Sequence, residues 1–407
     1  MNTVEIIEKV IAFLLVISPI LIPAVLLVVL VKVWINYARS KFLSEQEYKL
    51  LRITPPIEIF KTPLSMELFM NALYQTVGEA TPIDKYWKGK VRPWFSLEIA
   101  SNGGDVGFYI WTRKSMTGYL QSQIYAQYPG IEVVEVEDYT NSVNYNRDDY
   151  SIWATEFELT APDPVPIKTY IDYGLDKVSE EEEKTDPITS MLEFLGSIKN
   201  GEYVWIQIIV RAHRKEDKDP SSWFGLTDLW KDDAKKIIAE IREESMVEVA
   251  AGDGTTKVPL ATKGQIDKIN AIERSISKMP FDTGIRGIYL AEKDVFDPVN
   301  IGGLAGGFKQ YSSSELNGFK PGIKTGFDYW WQDPFGNKLN AVAQELFDAY
   351  RERGYFFRPF FGKNRKHFIL NSEELATIYH FPGSVSHTPS LRRVQSKKSE
   401  APADLPI

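Results

Sequence analysis

Cysteine is absent from the 407-residue chain. This excludes disulfides, thiolate nucleophiles and cysteine metal sites, and with them thiol redox chemistry. It is neutral on compartment, because a cytoplasmic protein needs no cysteine. Histidine is scarce, and no two histidines stand in an HExxH motif or at i, i+4, so no metal site is predicted. The four histidines are His213, His367, His380 and His387.

Catalytic motifs are also missing. A Walker A loop needs Gly, four residues, Gly-Lys and Ser or Thr, and the nearest string, GFKPGIKT at residues 318–325, has Ile323 where the second glycine belongs. GGLAGG at residues 302–307 is not followed by the lysine of a Walker A loop. We interpret it as a segment that lets a helix and the sheet approach closely, or as a loop. No GxSxG elbow supports a serine nucleophile. We therefore predict no catalytic, metal-binding or cofactor-binding residue, and a protein that is not an enzyme.

Positive charge is in deficit, since the formal net charge is −8 and the isoelectric point about 5.3. The chain as a whole repels phosphate backbones, so any DNA contact must be local or indirect. One basic stretch interleaved with aromatics is a candidate contact for a partner or a single strand. The alternative is a strand pair with solvated rims. The candidate residues are Arg351, Arg353, Tyr355, Arg358, Lys363, Arg365 and Lys366.

The most prominent feature present is one uncharged apolar run that begins at Val10 and ends at Val31. A helix needs about 20 such residues to cross a bilayer, so the run predicts a membrane anchor. Pro19 and Pro23 lie inside it, and in a bilayer they predict a kink and not an end of the helix. The alternative, a cleaved signal peptide, would need a basic start, a shorter core and small residues at the cleavage site, and these are missing.

Basic residues follow the run, whereas Glu5, Glu8 and Lys9 precede it, which predicts an outside N-terminus and a cytoplasmic body. Four residues just after the run have the chemistry of interface anchors, because amphipathic rings and long cations favour the headgroup layer. They are Lys32, Trp34, Tyr37 and Arg39.

The rest of the chain has globular composition, with 43% hydrophobic and 13% aromatic residues. Residues 94–101 and 105–113 alternate about an Asn-Gly-Gly turn and predict a hairpin, between helices at 65–78 and 114–128. A strand at 131–139 completes an order typical of ferredoxin-like α+β units with antiparallel sheets. Helices and strands recur in a comparable order further on, and EYVWIQIIVR at 202–211 predicts a central strand.

The predicted organisation is therefore α+β, with one transmembrane helix, two ferredoxin-like units and a disordered, extended tail. The expected boundaries are 1–40 for the anchor, 41–150 and 151–385 for the two units, and 386–407 for the tail.

The C-terminal third resembles a known family. NSEELATIYHFPG at 371–383 and TPSLRRVQSKKSEAPADLP at 388–406 are similar to the segment before the ATPase core of membrane-anchored type IV secretion and conjugative DNA-transfer proteins of bacteria. IYLAEKDVF at 288–296 and FKQYSSSELNGFKP at 308–321 resemble the N-terminal region of the same proteins. There, a membrane helix and an α+β region precede an ATP-hydrolysing motor.

The resemblance implies a location at a bacterial inner membrane and a partnership with a separate ATPase. It implies no ATPase activity for this chain, because the chain ends at Ile407, where the motor would begin. We expect a non-enzymatic scaffold in contact with membrane lipid that positions a separate ATPase or other secretion subunits. The alternatives are a membrane-tethered nucleotide-binding or hydrolytic enzyme and a single-strand binding module. The tail is the expected docking segment, with the basic residues Arg392, Arg393, Lys397 and Lys398.

Overall fold

The computed structural model describes eleven stretches of the chain. These are residues 3–56, 61–79, 81–177, 186–215, 217–218, 226–251, 254–326, 331, 333–357, 366–383 and 391–393. Contacts group them into a smaller unit, which contains Met1–Glu47 and Val77–Arg92, and a larger unit with most of the remaining residues.

The smaller unit contains one long helix, α1 (Thr3–Ser44), which continues through Pro19 and Pro23 without interruption. Its large apolar side chains between Ile20 and Val31 are all about half exposed or more. The helix is long and apolar enough to cross a membrane. The expected anchor is thus confirmed as a helix of suitable length and chemistry, which ends at Ser44 and not at residue 40.

The first half of the larger unit runs in the order strand, helix, hairpin, helix, strand. Its elements are β1 (Tyr48–Thr54), α2 (Leu64–Leu73), β2 (Trp94–Asn102), β3 (Asp105–Arg113), α3 (Thr117–Gln127) and β4 (Glu132–Val136). The strands lie in the order β4-β1-β3-β2, and every neighbouring pair is antiparallel. The hairpin turns through Gly103 and Gly104, whose φ angles of +59° and +90° favour glycine.

The second half repeats this plan with an insertion. It contains β5 (Tyr150–Leu159), α4 (Pro187–Gly196), β6 (Glu202–Ala212), β7 (Asp217–Lys218), β8 (Leu226–Thr227), α5 (Leu229–Glu244), β9 (Met246–Ala251), β10 (Gly254–Pro259), α6 (Lys263–Ser277), β11 (Pro280–Glu292), α7 (Val299–Gly307) and β12 (Phe319–Lys324). The strand order β12-β5-β11-β6 matches that of the first half, and α5 to α6 are the insertion.

The two halves are joined edge to edge. β2 and β6 pair antiparallel from Trp94 opposite Arg211 to Asn102 opposite Tyr203, so all eight main strands form one sheet. Three further elements follow: α8 (Asn337–Arg351), β13 (Phe368–Asn371) and α9 (Ser372–Ile378). β13 pairs with the start of β11. The chain therefore builds two ferredoxin-like halves around one continuous pairing.

The sheet is covered on both faces. The larger core contains side chains of α2, α3, α4, α7 and α9 together with one face of the strands. On the other face, Leu346, Phe347 and Tyr350 of α8 pack over Trp205 at the joint between the halves. α5 and α6 share a smaller core of their own. Coverage of both faces explains why β6, β2 and β11 are buried along nearly their whole length.

The predicted α+β class and the antiparallel ferredoxin-like units are confirmed, and EYVWIQIIVR forms the central β6. The division at residue 150 does not separate two sheets, because β2 and β6 hydrogen-bond across it. The helix expected over 65–78 ends at Leu73. Gly78 lies beyond this end, with a φ of +130° and against the carbonyl of Val91.

The continuous sheet predicts that both halves unfold together. Leu97 of β2 is buried and lies opposite Ile208 of β6. Leu97→Ala should destabilise the protein by about 2–5 kcal/mol through lost contacts and a cavity. Hydrogen exchange should show the slowest amides of both halves losing protection equally. Val134→Ala, at a side chain of β4 that is 46% exposed, should change little. A loss confined to the first half would contradict the joint.

Candidate functional site

A row of polar side chains crosses the joint between the two halves. Glu98 of β2 lies opposite Gln207 of β6, Gln207 opposite Arg286 of β11, and Arg286 opposite Glu156 of β5. Residues opposite each other share a face of the sheet, so these four side chains stand side by side beneath α8. All four are at most 4% exposed. We call these four residues the polar row.

Glu98 is the most heavily bonded carboxylate of the polar row. Ser96 and Tyr139 donate hydroxyl hydrogen bonds of 2.6 and 2.8 Å, and the Gln207 amide donates one of 3.1 Å. Arg353 adds Nε and Nη2 bonds of 2.9 and 3.1 Å to the two carboxylate oxygens. Burying a charged carboxylate costs free energy unless a cation and several hydrogen-bond donors compensate it. The buried charge of Glu98 therefore depends on its pairing with Arg353.

Arg353 reaches Glu98 from the turn after α8. Its φ of +48° is unusual for a residue with a Cβ and costs on the order of 1 kcal/mol. The guanidinium also bonds the carboxylate of Asp138 and the carbonyl of Arg351. Burial lowers the pKa of Arg353, but the adjacent Glu98 carboxylate outweighs it and the pKa is raised well above its usual range. Arg353 therefore remains charged.

Arg286 fixes the C-terminal end of α8 to the sheet. Its Nε donates to Glu156 at 2.8 Å, and its Nη1 donates to the side-chain oxygen of Gln207 at 3.1 Å. The guanidinium also donates to the carbonyls of Ala349 at 2.9 Å and Gly354 at 2.7 Å. The last carbonyls of a helix need such donors. The polar row therefore holds α8 in place while it joins the two halves.

The polar row is closed to solvent by α8 and the turn that follows it, so its carboxylates bond this chain and not a ligand. Its half-buried continuation is Asp138, where burial raises the pKa but the hydrogen bonds and charge of Arg353 outweigh it, so the pKa is lowered. Asp138 lines two shallow clefts of about 390 and 290 Å³. We call the carboxylates around these clefts the acidic rim: Glu135, Glu137, Asp138, Asp348 and Glu352.

The acidic rim adjoins an edge of the sheet. β4 is the last strand in the sheet order and pairs only with β1 among the described strands. Val134 of β4 is 46% exposed, and the side chains of Lys49 and Glu135 form an ion pair at the surface. An open edge of this kind can pair with an added strand, and acidic side chains along it favour a basic one.

Of the three histidines that the structure describes, His213 and His380 are buried and paired with carboxylates. The Nδ1 of His213 lies 2.6 Å from Asp282, which also pairs with Arg211 at 2.7 Å. His380 bonds the carbonyl of Ala376 through Nδ1 at 2.9 Å and Asp186 through Nε2 at 3.1 Å. Both acceptors are satisfied only when the ring carries two protons, so this pairing favours the imidazolium form. The part of the chain described here contains no cluster of three metal-ligand side chains.

The basic stretch predicted as a contact surface is divided by the structure. Arg353 and Tyr355 are 1% and 4% exposed, so the expectation that they face a partner is wrong. Arg351 bonds the side chains of Asn141 and Asn144, and Lys366 is exposed. The other three candidates lie outside the described residues: Arg358, Lys363 and Arg365.

Residues 391–393 are the described part of the expected tail, and they contact β3. Leu391 is 5% exposed and forms a parallel bridge with Val106 of β3. Arg392 pairs with Asp105 at 3.1 Å, and Arg393 adjoins it. Leu391 and Arg392 therefore contact β3 of this same chain. The last two tail candidates, Lys397 and Lys398, lie outside the described residues.

The GFKPGIKT string is part of β12 and the following turn, not a phosphate loop. Thr325 of this string accepts a hydrogen bond from the Ala154 amide at 2.8 Å and is 6% exposed. GGLAGG forms most of α7, where Gly303 and Gly307 face Phe194 and Met191 of α4 without room for a Cβ. The glycines thus allow the close approach of two helices.

No sequence motif marks the polar row. Its one sequence signal is a charged or amide residue inside an apolar strand, as at Gln207 in EYVWIQIIVR and Glu98 in WFSLEIAS. Such residues carry a buried partner when both faces of the strand are covered. Which partner they have depends on the register between strands far apart in sequence.

Residues 47–393 match the family model described as a domain of unknown function, DUF8128. Because the match covers both ferredoxin-like halves and most of the chain, the protein belongs to this family. No curated protein matches the chain. The matched region begins after α1 and includes the whole polar row and Leu391.

The pairing of Glu98 with Arg353 predicts a large asymmetric mutational effect. Arg353→Met leaves a buried carboxylate unpaired and should cost about 3–5 kcal/mol of unfolding free energy. Glu98→Gln combined with Arg353→Met should recover part of this loss, because no charge is then buried alone. Lys49→Met, at the exposed pair with Glu135, should cost less than about 1 kcal/mol. Urea unfolding of the detergent-solubilised chain measures all three, and equal losses in both Arg353 variants would contradict the pairing of Glu98 with Arg353.

The pairing of His380 with Asp186 predicts a pH dependence of stability. Burial lowers the pKa of His380, but the Asp186 charge and hydrogen bond outweigh it, so the pKa is raised. The pKa of Asp186 is lowered by the same pair against the effect of burial. A raised histidine pKa contributes stability that is complete below the unfolded value of 6.5 and is lost as pH rises through the folded value.

Unfolding free energy should therefore fall as pH rises above 6.5 in the natural chain. His380→Gln should remove this part of the slope, and Asp186→Asn should do the same. The double variant should show no further change, because both substitutions remove one interaction. Urea titrations between pH 5.5 and 8.5 test this, and an unchanged slope in both single variants would contradict it.

Proposed function

We propose that the protein is a single-pass membrane scaffold of a bacterial inner membrane, with its N-terminus outside and its DUF8128 region on the cytoplasmic face. In this proposal it positions a separate ATPase of a type IV secretion or conjugative DNA-transfer system. The observation that carries the proposal is α1, whose side chains from Ile20 to Val31 are exposed as one uncharged apolar surface. Such a surface is stable in lipid and costly in water.

The orientation is supported by charge. Lys32, Arg39 and Lys41 follow the apolar run with no acidic residue before Glu45, whereas Glu5, Glu8 and Lys9 precede it. Cytoplasmic flanks carry the excess of Lys and Arg in membrane proteins. The scaffold role is supported by the polar row, because its four buried side chains bond one another across the joint, and a joint held in this way can present fixed surfaces.

The surface that best fits a partner is the acidic rim with the open edge of β4. An extended basic segment could add to β4 through backbone hydrogen bonds and pair its cations with Glu135 and Glu137. The resemblance to conjugative proteins supplies the partner class, an ATPase that has no membrane helix of its own.

Single-cysteine labelling tests the topology without interference, because the natural chain has no cysteine. A membrane-impermeant maleimide should label Thr3→Cys in intact spheroplasts. It should label Ser122→Cys, an exposed site of α3, only after lysis. Labelling of Ser122→Cys in intact spheroplasts would overturn the orientation, and release of the chain by alkaline carbonate would overturn the anchor.

Partner recruitment is tested by co-expression with the conjugative ATPase encoded in the same genome. The ATPase should sediment with membranes only when this chain is present. Glu135→Lys with Glu137→Lys should lower the recovered ATPase about tenfold, since charge reversal opposes a basic partner. Glu240→Lys with Asp267→Lys, an equal charge change on exposed positions of α5 and α6, should leave it unchanged. Equal recovery in both double variants would contradict the proposed docking surface.

A further inference from the structure

The smaller unit exposes a dense group of large apolar side chains outside the span. Ile83, Tyr86 and Trp87 belong to the helical turn Ile83–Trp87 and are 62%, 49% and 69% exposed. Trp34 and Tyr37 of α1 are 40% and 53% exposed. Single exposed apolar residues are ordinary, but a contiguous group rich in Trp and Tyr marks a contact surface.

The turn Ile83–Trp87 is fixed to α1. The indole Nε1 of Trp34 donates to the carbonyl of Tyr86 at 3.1 Å, and the rings of Trp34 and Trp87 lie 5.1 Å apart. Gly89 then crosses the helix so closely that a Cβ would lie 2.2 Å from the carbonyl carbon of Ala38. These contacts set the level of the turn along α1.

That level coincides with the headgroup layer of a membrane that α1 spans. A helix rises about 1.5 Å per residue, so Trp34 stands about 4.5 Å beyond Val31 and Ala38 about 10 Å beyond it. The polar layer adds roughly 5–8 Å to each side of the hydrocarbon core. Trp34 lies within that layer, and Ala38 lies just beyond it. Amphipathic rings are enriched at this depth.

The charge around the turn is predominantly positive. Residues 32–44 and 81–90 together contain six basic side chains and one carboxylate, although the chain as a whole has a net charge of −8. The carboxylate, Asp84, is already paired with Lys88 at 3.3 Å and Lys90 at 3.1 Å. A positive surface at headgroup depth attracts anionic lipid, at about 1 kcal/mol per basic residue.

We propose that the turn Ile83–Trp87 is a second membrane contact, which lies beside α1 in the headgroup layer and binds anionic phospholipid. The proposal rests on the membrane anchor of the proposed function. Two contacts at different points restrict the rotation of α1 and its depth in the bilayer, which a single apolar helix leaves free.

The absence of cysteine allows spin labels at single positions of the full-length chain. Labels at Trp87→Cys and Ile83→Cys report the turn; Ile83→Cys leaves both Trp rings in place. Val25→Cys reports the span, and Glu45→Cys reports an exposed position eleven residues beyond Trp34. The chain is reconstituted into phosphatidylcholine vesicles with or without 30% phosphatidylglycerol. Accessibility to oxygen and to a water-soluble nickel complex gives the depth of each label.

With phosphatidylglycerol, both labels on the turn should lie at interface depth, between Val25→Cys and Glu45→Cys. Without it, their accessibility to nickel should rise at least twofold. Aqueous exposure of both labels, while Val25→Cys is in lipid, would overturn the second contact and leave the anchor intact. If both labels on the turn lie at interface depth equally with and without phosphatidylglycerol, the preference for anionic lipid would be overturned. Aqueous exposure of Val25→Cys would instead overturn the proposed function.

A matched glycine pair tests whether the turn depends on α1. Gly89→Ala places a Cβ against the backbone of Ala38 at a φ of +62°, so the turn should separate from α1 and the Ile83→Cys label should become aqueous. Gly130→Ala carries a similar backbone strain at φ +84° but has no atom within 4 Å. It should leave the label at interface depth. Equal behaviour of the two variants would contradict the contact.

Discussion

The pairing of β2 with β6 is the interaction on which the larger unit depends. Each ferredoxin-like half has this strand at an edge of its own sheet, and an unpaired edge exposes a row of backbone donors and acceptors. Pairing the two edges over nine residue pairs satisfies the exposed backbone donors and acceptors of both strands. It also gives the two halves one common core, which agrees with a single family match across both of them.

The polar row follows from that joint. A sheet covered on both faces would ordinarily be apolar at its centre, and here Glu98, Gln207 and Arg286 stand there in register. Burying them costs free energy unless every group is satisfied, so the row gives specificity more than stability. Because Glu98 and Gln207 come from different halves, the row distinguishes the correct strand register from a slipped one. Its bonds to the end of α8 extend the same register to the covering helix.

The two functional surfaces proposed for this protein lie in different units and use different chemistry. The turn Ile83–Trp87 offers exposed aromatic rings and basic side chains, as a lipid surface requires. The acidic rim beside β4 offers carboxylates and an open strand edge, as a basic protein segment requires. An overall charge of −8 hides this division, because opposite local charges partly cancel in the total. A scaffold that holds a partner at a membrane needs both kinds of surface.

The sequence alone determined the long apolar N-terminal helix, the hairpin at Gly103 and Gly104, the antiparallel α+β class and the repeated order of elements. These features depend on local patterns of hydrophobicity, glycine and charge, which act over a few residues. Tertiary structure decided what depends on contacts between distant residues. It showed that the halves share one sheet and that Arg353 and Tyr355, which the sequence placed on a basic surface, are buried. A guanidinium is buried only when a carboxylate pairs with it, and the carboxylate that pairs with Arg353 is Glu98, 255 residues away in the sequence. Local sequence patterns extend over a few residues and therefore do not identify such a partner.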